Sequence, residues 1–234
     1  GKVVFTGSNN QLLDTNNGSG CISAVEVNKT GGVLTVHDNI LVRLDWTNIS
    51  NGLNVDVNNA EIKFCYENDV TSNGMVFGAV TVSCPGWFNA VDTMRINGLA
   101  KFSGFNTVNG LMEVNGNVLL TGTSQSTSTA ILKFVGSNNQ TLGANGASGV
   151  FANVLIQKSG GVLTVSDTIK LTQGLTWISG AVNTSGSSFV FYGGSQTIDA
   201  EGFNFNNVQL NSQGNIILAR PLKVDGDFTI TGIN

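Results

Sequence analysis

The sequence predicts an all-β fold, a single parallel β-solenoid of roughly 11–12 coils, each of about 19–22 residues. Three observations lead there: short β-branched runs cut by turn residues, an unusual composition, and an internal repeat at a long constant offset. The runs are Val, Ile, Leu and Phe in groups of three to five, bounded by Gly, Asn, Asp or Ser, with no sustained helical spacing.

Composition fixes the class of chain. Hydrophobic residues make up 41% of it and charged residues only 11%, with 30 Gly and 2 Pro, so it can bury enough apolar surface to order itself. The net charge of −4 and the scattered Lys and Arg leave no basic stripe for phosphates, so nucleic acid is not an expected partner. No apolar run approaches the roughly 20 residues of a membrane-spanning helix.

The repeat is direct. Phe5-Thr6-Gly7-Ser8-Asn9-Asn10-Gln11 aligns with Phe134-Val135-Gly136-Ser137-Asn138-Asn139-Gln140, and at the same offset of 129 Lys29-Thr30-Gly31-Gly32 aligns with Lys158-Ser159-Gly160-Gly161. Of the 38 positions from Phe5 to Val42, 20 are identical. A degenerate third copy begins at Phe191-Tyr192-Gly193-Gly194-Ser195-Gln196, and a more disturbed one surrounds Phe64. One continuous solenoid over 1–234 is therefore expected, in modules at about 1–59, 60–129, 130–186 and 187–234 with three coils in each. Alternation is expected to turn Val33, Val36, Leu163, Val165, Leu222 and Val224 inward and the intervening Thr and Lys outward, with Gly and Asn supplying the corners. A β-sandwich gives no reason for identity at a long fixed offset.

Gly194-Ser195-Gln196-Thr197-Ile198, Phe205-Asn206-Asn207-Val208-Gln209-Leu210, Lys158-Ser159-Gly160-Gly161-Val162-Leu163-Thr164-Val165 and Val224-Asp225-Gly226-Asp227-Phe228 carry a further signal. With these motifs the chain resembles the degenerate β-solenoid repeats of surface proteins that Bacteroidota export by the type IX route. It is more distantly similar to filamentous-haemagglutinin-type adhesins. The resemblance covers nearly the whole chain, less clearly residues 60 to 112. It implies an extracellular or cell-surface location and a role as stalk, adhesin or fibre, and it brings no catalytic residues.

Candidate chemistry is sparse. His37 is the only histidine and its counterpart is Ser166, so it is read as a surface turn residue rather than a base or ligand. Asp225-Gly226-Asp227 looks like the start of a calcium loop, but Val114-Asn115-Gly116-Asn117-Val118 occupies the same frame uncharged, which favours an Asx-Gly turn. No cofactor or metal is expected, and no catalytic residues.

Cys21 replaces Val150 and is expected to be a small buried residue. Cys65 and Cys84 are 19 residues apart, about one coil, which suits a disulfide, although strand parity places their side chains on opposite faces. Trp46 and Trp177 fall at nearly equivalent positions and are read as core. Trp87, following Cys84-Pro85-Gly86, is the candidate contact residue, together with Glu67 and Asp69 in Tyr66–Gly74, which is read as a lateral loop. A second polar loop is expected over Thr121–Thr129. Thr93 and Thr168, in Asp-Thr-apolar triplets, are candidate glycosylation positions.

Val3, Val4 and Phe5 at one end and Phe228 and Ile230 at the other show no capping pattern, so end-to-end assembly is expected, with copies of itself or with flanking repeats of the same chain. The expected function is an extracellular structural or adhesive repeat, a fibre subunit or stalk segment, with surface glycans as further candidate partners. The rival is a β-helical polysaccharide-active enzyme or tail-spike segment, which needs clustered carboxylates or a basic groove.

Overall fold

The structure is a computed structural model that describes every residue except 17, 51, 105, 106, 123–127, 147, 233 and 234. The chain winds into a parallel β-solenoid of about 11 turns. Each turn lays down three short strands, and every strand pairs in parallel with its counterparts one turn away. The cross-section is therefore three-sided.

The first side opens with Lys2–Gly7, Ala24–Lys29, Trp46–Asn48, Glu67–Thr71, Trp87–Ala90 and Thr107–Asn109. Thr129 and Ala130 continue it by donating to the Val108 carbonyl at 3.2 and 3.1 Å. Farther along it consists of residues 148–151, 168–171, then Ser188–Gly193, Asn207–Ser212 and Phe228–Ile230. The second side runs as one ladder through Leu13, Val36, Val57, Phe77, Ile96, Val114, Phe134, Ile156 and Trp177. The third contains Ser19–Ile22, Asp38–Val42, the ends of Val55–Phe64 and Val76–Val82, Ala100–Phe102, Val118–Leu120 and Gln140–Gly143. Coil length is not constant: on the second side the step from Leu13 to Val36 takes more chain than the step from Ile96 to Val114.

Alternation places one residue in two inside. The buried set is mostly Val, Ile, Leu, Phe, Ala and Met, with eleven large aromatic side chains among the most buried and with Asn, Ser, Thr, Gln and two Lys as its polar members. Each fully buried Val, Leu or Phe contributes roughly 1.5–3 kcal/mol. Phe189, Phe191, Phe203 and Phe205 fill one coil with ring centroids 4.3–6.4 Å apart. Val36, Leu163 and Val165 point inward and Leu222 and Val224 pack against the core, but Val33 is half-buried and its neighbour Leu34 is inside. Val33 and Val36 differ in parity, so one strand cannot bury both.

The repeat does not contain a whole number of coils. Phe5 lies on the first side, whereas its equivalent Phe134 lies on the second, paired with Val114 and Ile156. Ile22 lies on the third side and its equivalent Phe151 on the first. The offset between the two strong copies is thus six turns and one side, and the third copy returns Phe191 to the first side. Local conformation nevertheless follows the sequence copy. Gly7 and Gly136 have φ of 86° and 84°, Asn16 and Asn145 of 53° and 54°, Gly32 and Gly161 of 58° and 61°, Asp38 and Asp167 of 63° and 65°. The three sides are interchangeable because pairing reads alternation and backbone length, not residue identity.

The corner at the head of each strong copy is built on a lysine turned inward, contrary to the expectation that the lysines face water. Lys29 donates to the Asn9 carbonyl at 2.7 Å and to Gln11 Oε1 at 2.9 Å. Lys158 donates to the Asn138 carbonyl at 2.9 Å and to Gln140 Oε1. Both lysines are buried, and desolvation holds the Lys158 ammonium below the ordinary lysine pKa. Their parity, in phase with Val25 and Val27 or Val154 and Ile156, is the signal that predicts it.

Above the lysine the corner closes tightly. A Cβ on Gly161 would stand 2.5 Å from the Asn138 carbonyl oxygen at a left-handed φ, whereas one on Gly186, also left-handed, would meet nothing within 4 Å. Gly161→Ala is expected to cost about 1–3 kcal/mol, and more than Gly186→Ala, in urea-unfolding midpoints.

Candidate functional site

Glu67–Thr71 is a strand of the first side, not a lateral loop. The sequence hides it because only Asn68 and Val70 point inward, and Asn68 is polar. It fits because the Asn68 amide donates to the carbonyls of Val42 and Leu44, replacing a backbone partner at the coil edge.

This strand brings the three candidate contact residues together. Trp87 opens the next strand directly opposite Glu67, and Asn89 lies opposite Asp69. Phe88 is buried between them, so Trp87 and Asn89 take the outward parity. Trp87 is half-buried, lying along the sheet surface rather than projecting from a turn. Asp69 Oδ1 accepts from Asn89 Nδ2 at 2.8 Å, while the Asp69 N–H donates to Asp45 Oδ1 at 3.1 Å. Glu67 is exposed beside the indole. The patch is thus an indole flanked by one exposed and one tethered carboxylate, chemistry suited to lateral contact with a polar partner.

Cys65 and Cys84 at the adjoining corner form a disulfide with Cα atoms 5.1 Å apart. Parity does not forbid it, because both cysteines lie beyond their strands, which end at Phe64 and Val82. Cys84 has φ of 87° and Tyr66 of 73°, and these left-handed steps reset the alternation. Cys21, in contrast, is exposed and carries a free thiol: it shares outward parity with Leu41, opposite which it lies, so the expectation of a buried residue fails. Val150 has the equivalent parity but is 4% exposed.

The remaining candidates serve the corners or the surface. His37 is exposed, its Nδ1 3.8 Å from Asp14 Oδ2, and its backbone N–H donates to the Leu13 carbonyl. Asp225-Gly226-Asp227 forms a turn in which Asp227 N–H donates to Asn207 Oδ1 at 2.8 Å. Among the described residues no group of three or more His, Cys, Asp or Glu converges as a metal cage would require. Thr93 and Thr168 are half-buried beside Asp92 and Asp167, whose carboxylates take the N–H groups of Ser72, Asn73 and Ala144. Trp46 is core, edge-on to Phe77, and Trp177 is half-buried with its Nε1 donating to the Gly180 carbonyl at 3.0 Å. The expected polar loop over Thr121–Thr129 falls largely outside the described residues.

Val3 and Val4 are exposed on the first strand and Phe5 is half-buried, while Phe228 and Ile230 are exposed on the last. Charged groups along the sides are mostly laddered: Glu113 bonds Arg95 on one neighbouring row at 3.2 Å and Lys133 on the other at 2.9 Å. Among the described residues no helix is long and apolar enough to cross a membrane. No family model matches the chain, and neither does any curated protein or solved structure.

The disulfide spans a sequence separation of 19 and is expected to contribute about 3 kcal/mol. The double variant Cys65→Ser, Cys84→Ser should therefore unfold at lower urea than the oxidised wild type. The two should unfold together once dithiothreitol is added.

Proposed function

We propose that this chain is a structural and adhesive repeat that works outside the cell as a rigid spacer. It joins end to end with further coils, from flanking repeats of the same chain or from another copy. The observation that supports this reading most directly is the continuity of the inter-coil ladders: about 11 turns at ~4.8 Å give a rod of about 50 Å with one unbroken core. Such a body holds two points at a fixed separation and resists bending, because a bend must stretch the ladder bonds on one side while it compresses the packed core on the other.

The outer edges of the two terminal rows supply the joining chemistry. Among the described residues Lys2–Gly7 pairs only with Ala24–Lys29, and Phe228–Ile230 only with Asn207–Ser212, so each offers a parallel strand edge flanked by exposed apolar side chains. A strand edge of this kind templates another strand. A head-to-tail contact extends the ladders and generates filaments rather than closed rings. The Cys65–Cys84 disulfide fits an oxidising compartment. Trp87 and Glu67 give the rod a lateral contact patch.

Electron microscopy of concentrated protein tests the joining. Filaments are expected whose axial repeat equals one rod length, about 50 Å at ~4.8 Å per turn. Val3→Lys with Ile230→Lys should disperse them without lowering the melting temperature of the dispersed chain. Dispersed single chains at every concentration, together with release of reducing sugar from polysaccharides, would favour the enzyme reading instead.

A further inference from the structure

The third copy departs from the first two at the lysine. Ser212 stands where Lys29 and Lys158 stand, with the same inward parity, in phase with Val208 and Leu210. Its hydroxyl bonds the carbonyls of Gly193 and Gly194 at 3.2 and 2.7 Å, serving the corner backbone as the ammonium does elsewhere. It does not serve the glutamine. Gln196 Oε1, equivalent to the Gln11 and Gln140 oxygens that accept from the lysines, has no partner among the described residues although Gln196 is only 2% exposed.

Two more buried polar atoms nearby are likewise without partners: Thr172 Oγ1 and Asn153 Oδ1. The three occupy successive rows of the same corner, between the first and second sides, and all line one cleft of about 560 Å³. The cleft arises from corner length. Between equivalent rungs of the first and second sides the chain takes two residues (Phe151 to Asn153), three (Leu171 to Gly174), six (Phe191 to Thr197) and seven (Leu210 to Ile217). The two longer corners stand out over the two tight ones and leave a step. Its floor is formed by Asn153 and Thr172, and its wall by Tyr192 to Gln196.

An unpartnered buried polar atom destabilises the fold, and three in one concavity of ligand size mark a surface arranged for something that hydrogen-bonds. The character of the lining narrows what that is. Its residues are Asn, Thr, Gln, Ser, Gly, one Tyr and one Ile, with no ionisable acid or base among them except the phenol. Burial raises the Tyr192 pKa, so the hydroxyl stays a neutral donor beside an apolar ring face. Among the described residues no charged group lines the cleft to neutralise an ion, which disfavours phosphate, carboxylate and ammonium ligands. The unpartnered atoms lie beneath the cleft on successive rows ~4.8 Å apart along the axis, a spacing that matches a ligand carrying hydroxyls at regular intervals over about two pyranose rings.

We propose that this cleft binds an uncharged oligosaccharide, whose hydroxyls donate to Asn153 Oδ1 and Gln196 Oε1 and exchange a hydrogen bond with Thr172 Oγ1, with Tyr192 against a ring face. The site is separate from the Trp87 patch and does not depend on end-to-end joining.

Calorimetry and thermal shift with cellobiose, maltose, lactose and N,N′-diacetylchitobiose test it, with 3′-sialyllactose, potassium chloride and calcium chloride as separate arms. At least one neutral disaccharide should bind and raise the melting temperature. Thr172→Val, which removes one unpartnered atom with little change of shape, should weaken that binding about tenfold and leave the ligand-free melting temperature unchanged or higher. Thr197→Trp, at an exposed rim position, should block binding without touching the buried shell. The proposal is overturned if no neutral disaccharide binds, if binding survives both variants, or if only the sialylated sugar or the salts protect the chain. Rod length by small-angle scattering stays the same in every variant, so loss of sugar binding cannot be mistaken for failure of the rod.

Discussion

The parallel hydrogen-bond ladder between coils is the constraint on which the rest of this structure depends. Each row must find its partner ~4.8 Å away, so a coil can vary in length only where it is not paired. Every strand must also keep the parity of the row beneath it, since a slip of one residue would turn a buried Phe to water. These two demands confine variation to the corners. The coil lengthens and shortens by several residues while the ladder from Leu13 to Trp177 continues unbroken.

The same constraint explains why identical sequence can occupy different sides. Phe134 pairs with Val114 and Ile156 on the second side as readily as Phe5 pairs with Val27 on the first, because a triangular coil offers three environments with the same depth and alternation. What the repeated sequence carries is a corner, with its left-handed glycine and inward lysine, rather than a position around the axis. Glycines 32 and 161 are needed because the neighbouring coil's backbone already fills the space of a Cβ.

Much of this is legible in the residues alone. Coil length, strand content and the presence of corners follow from alternation and from Gly and Asn spacing, which are local properties. The side on which a strand falls is a running sum over all preceding corners, so an error of a few residues anywhere moves Phe134 to the wrong side. Polar residues at inward positions are the other blind spot. Asn68, Lys29 and Lys158 read as surface from their chemistry, although parity alone places them inside, and Glu67–Thr71 reads as a loop on that account. Alternation also ends where strands end, which is why it gives no guide to the geometry of Cys65 and Cys84.

Corners are consequently where such a solenoid can acquire chemistry. The interior of each strand is held by neighbours on both rows, and a substitution there disturbs the core of several turns. A corner touches only the adjacent corners, and the inward lysine is a modular part of it, satisfying a carbonyl and a glutamine at once. Exchanging the lysine for Ser212 leaves the backbone bonded but releases the glutamine oxygen. Lengthening the two neighbouring corners then converts that release into an open cleft. A repeat protein of this kind gains a recognition surface by losing one internal partner from a corner, while its ladders, and so its stiffness, remain as they were.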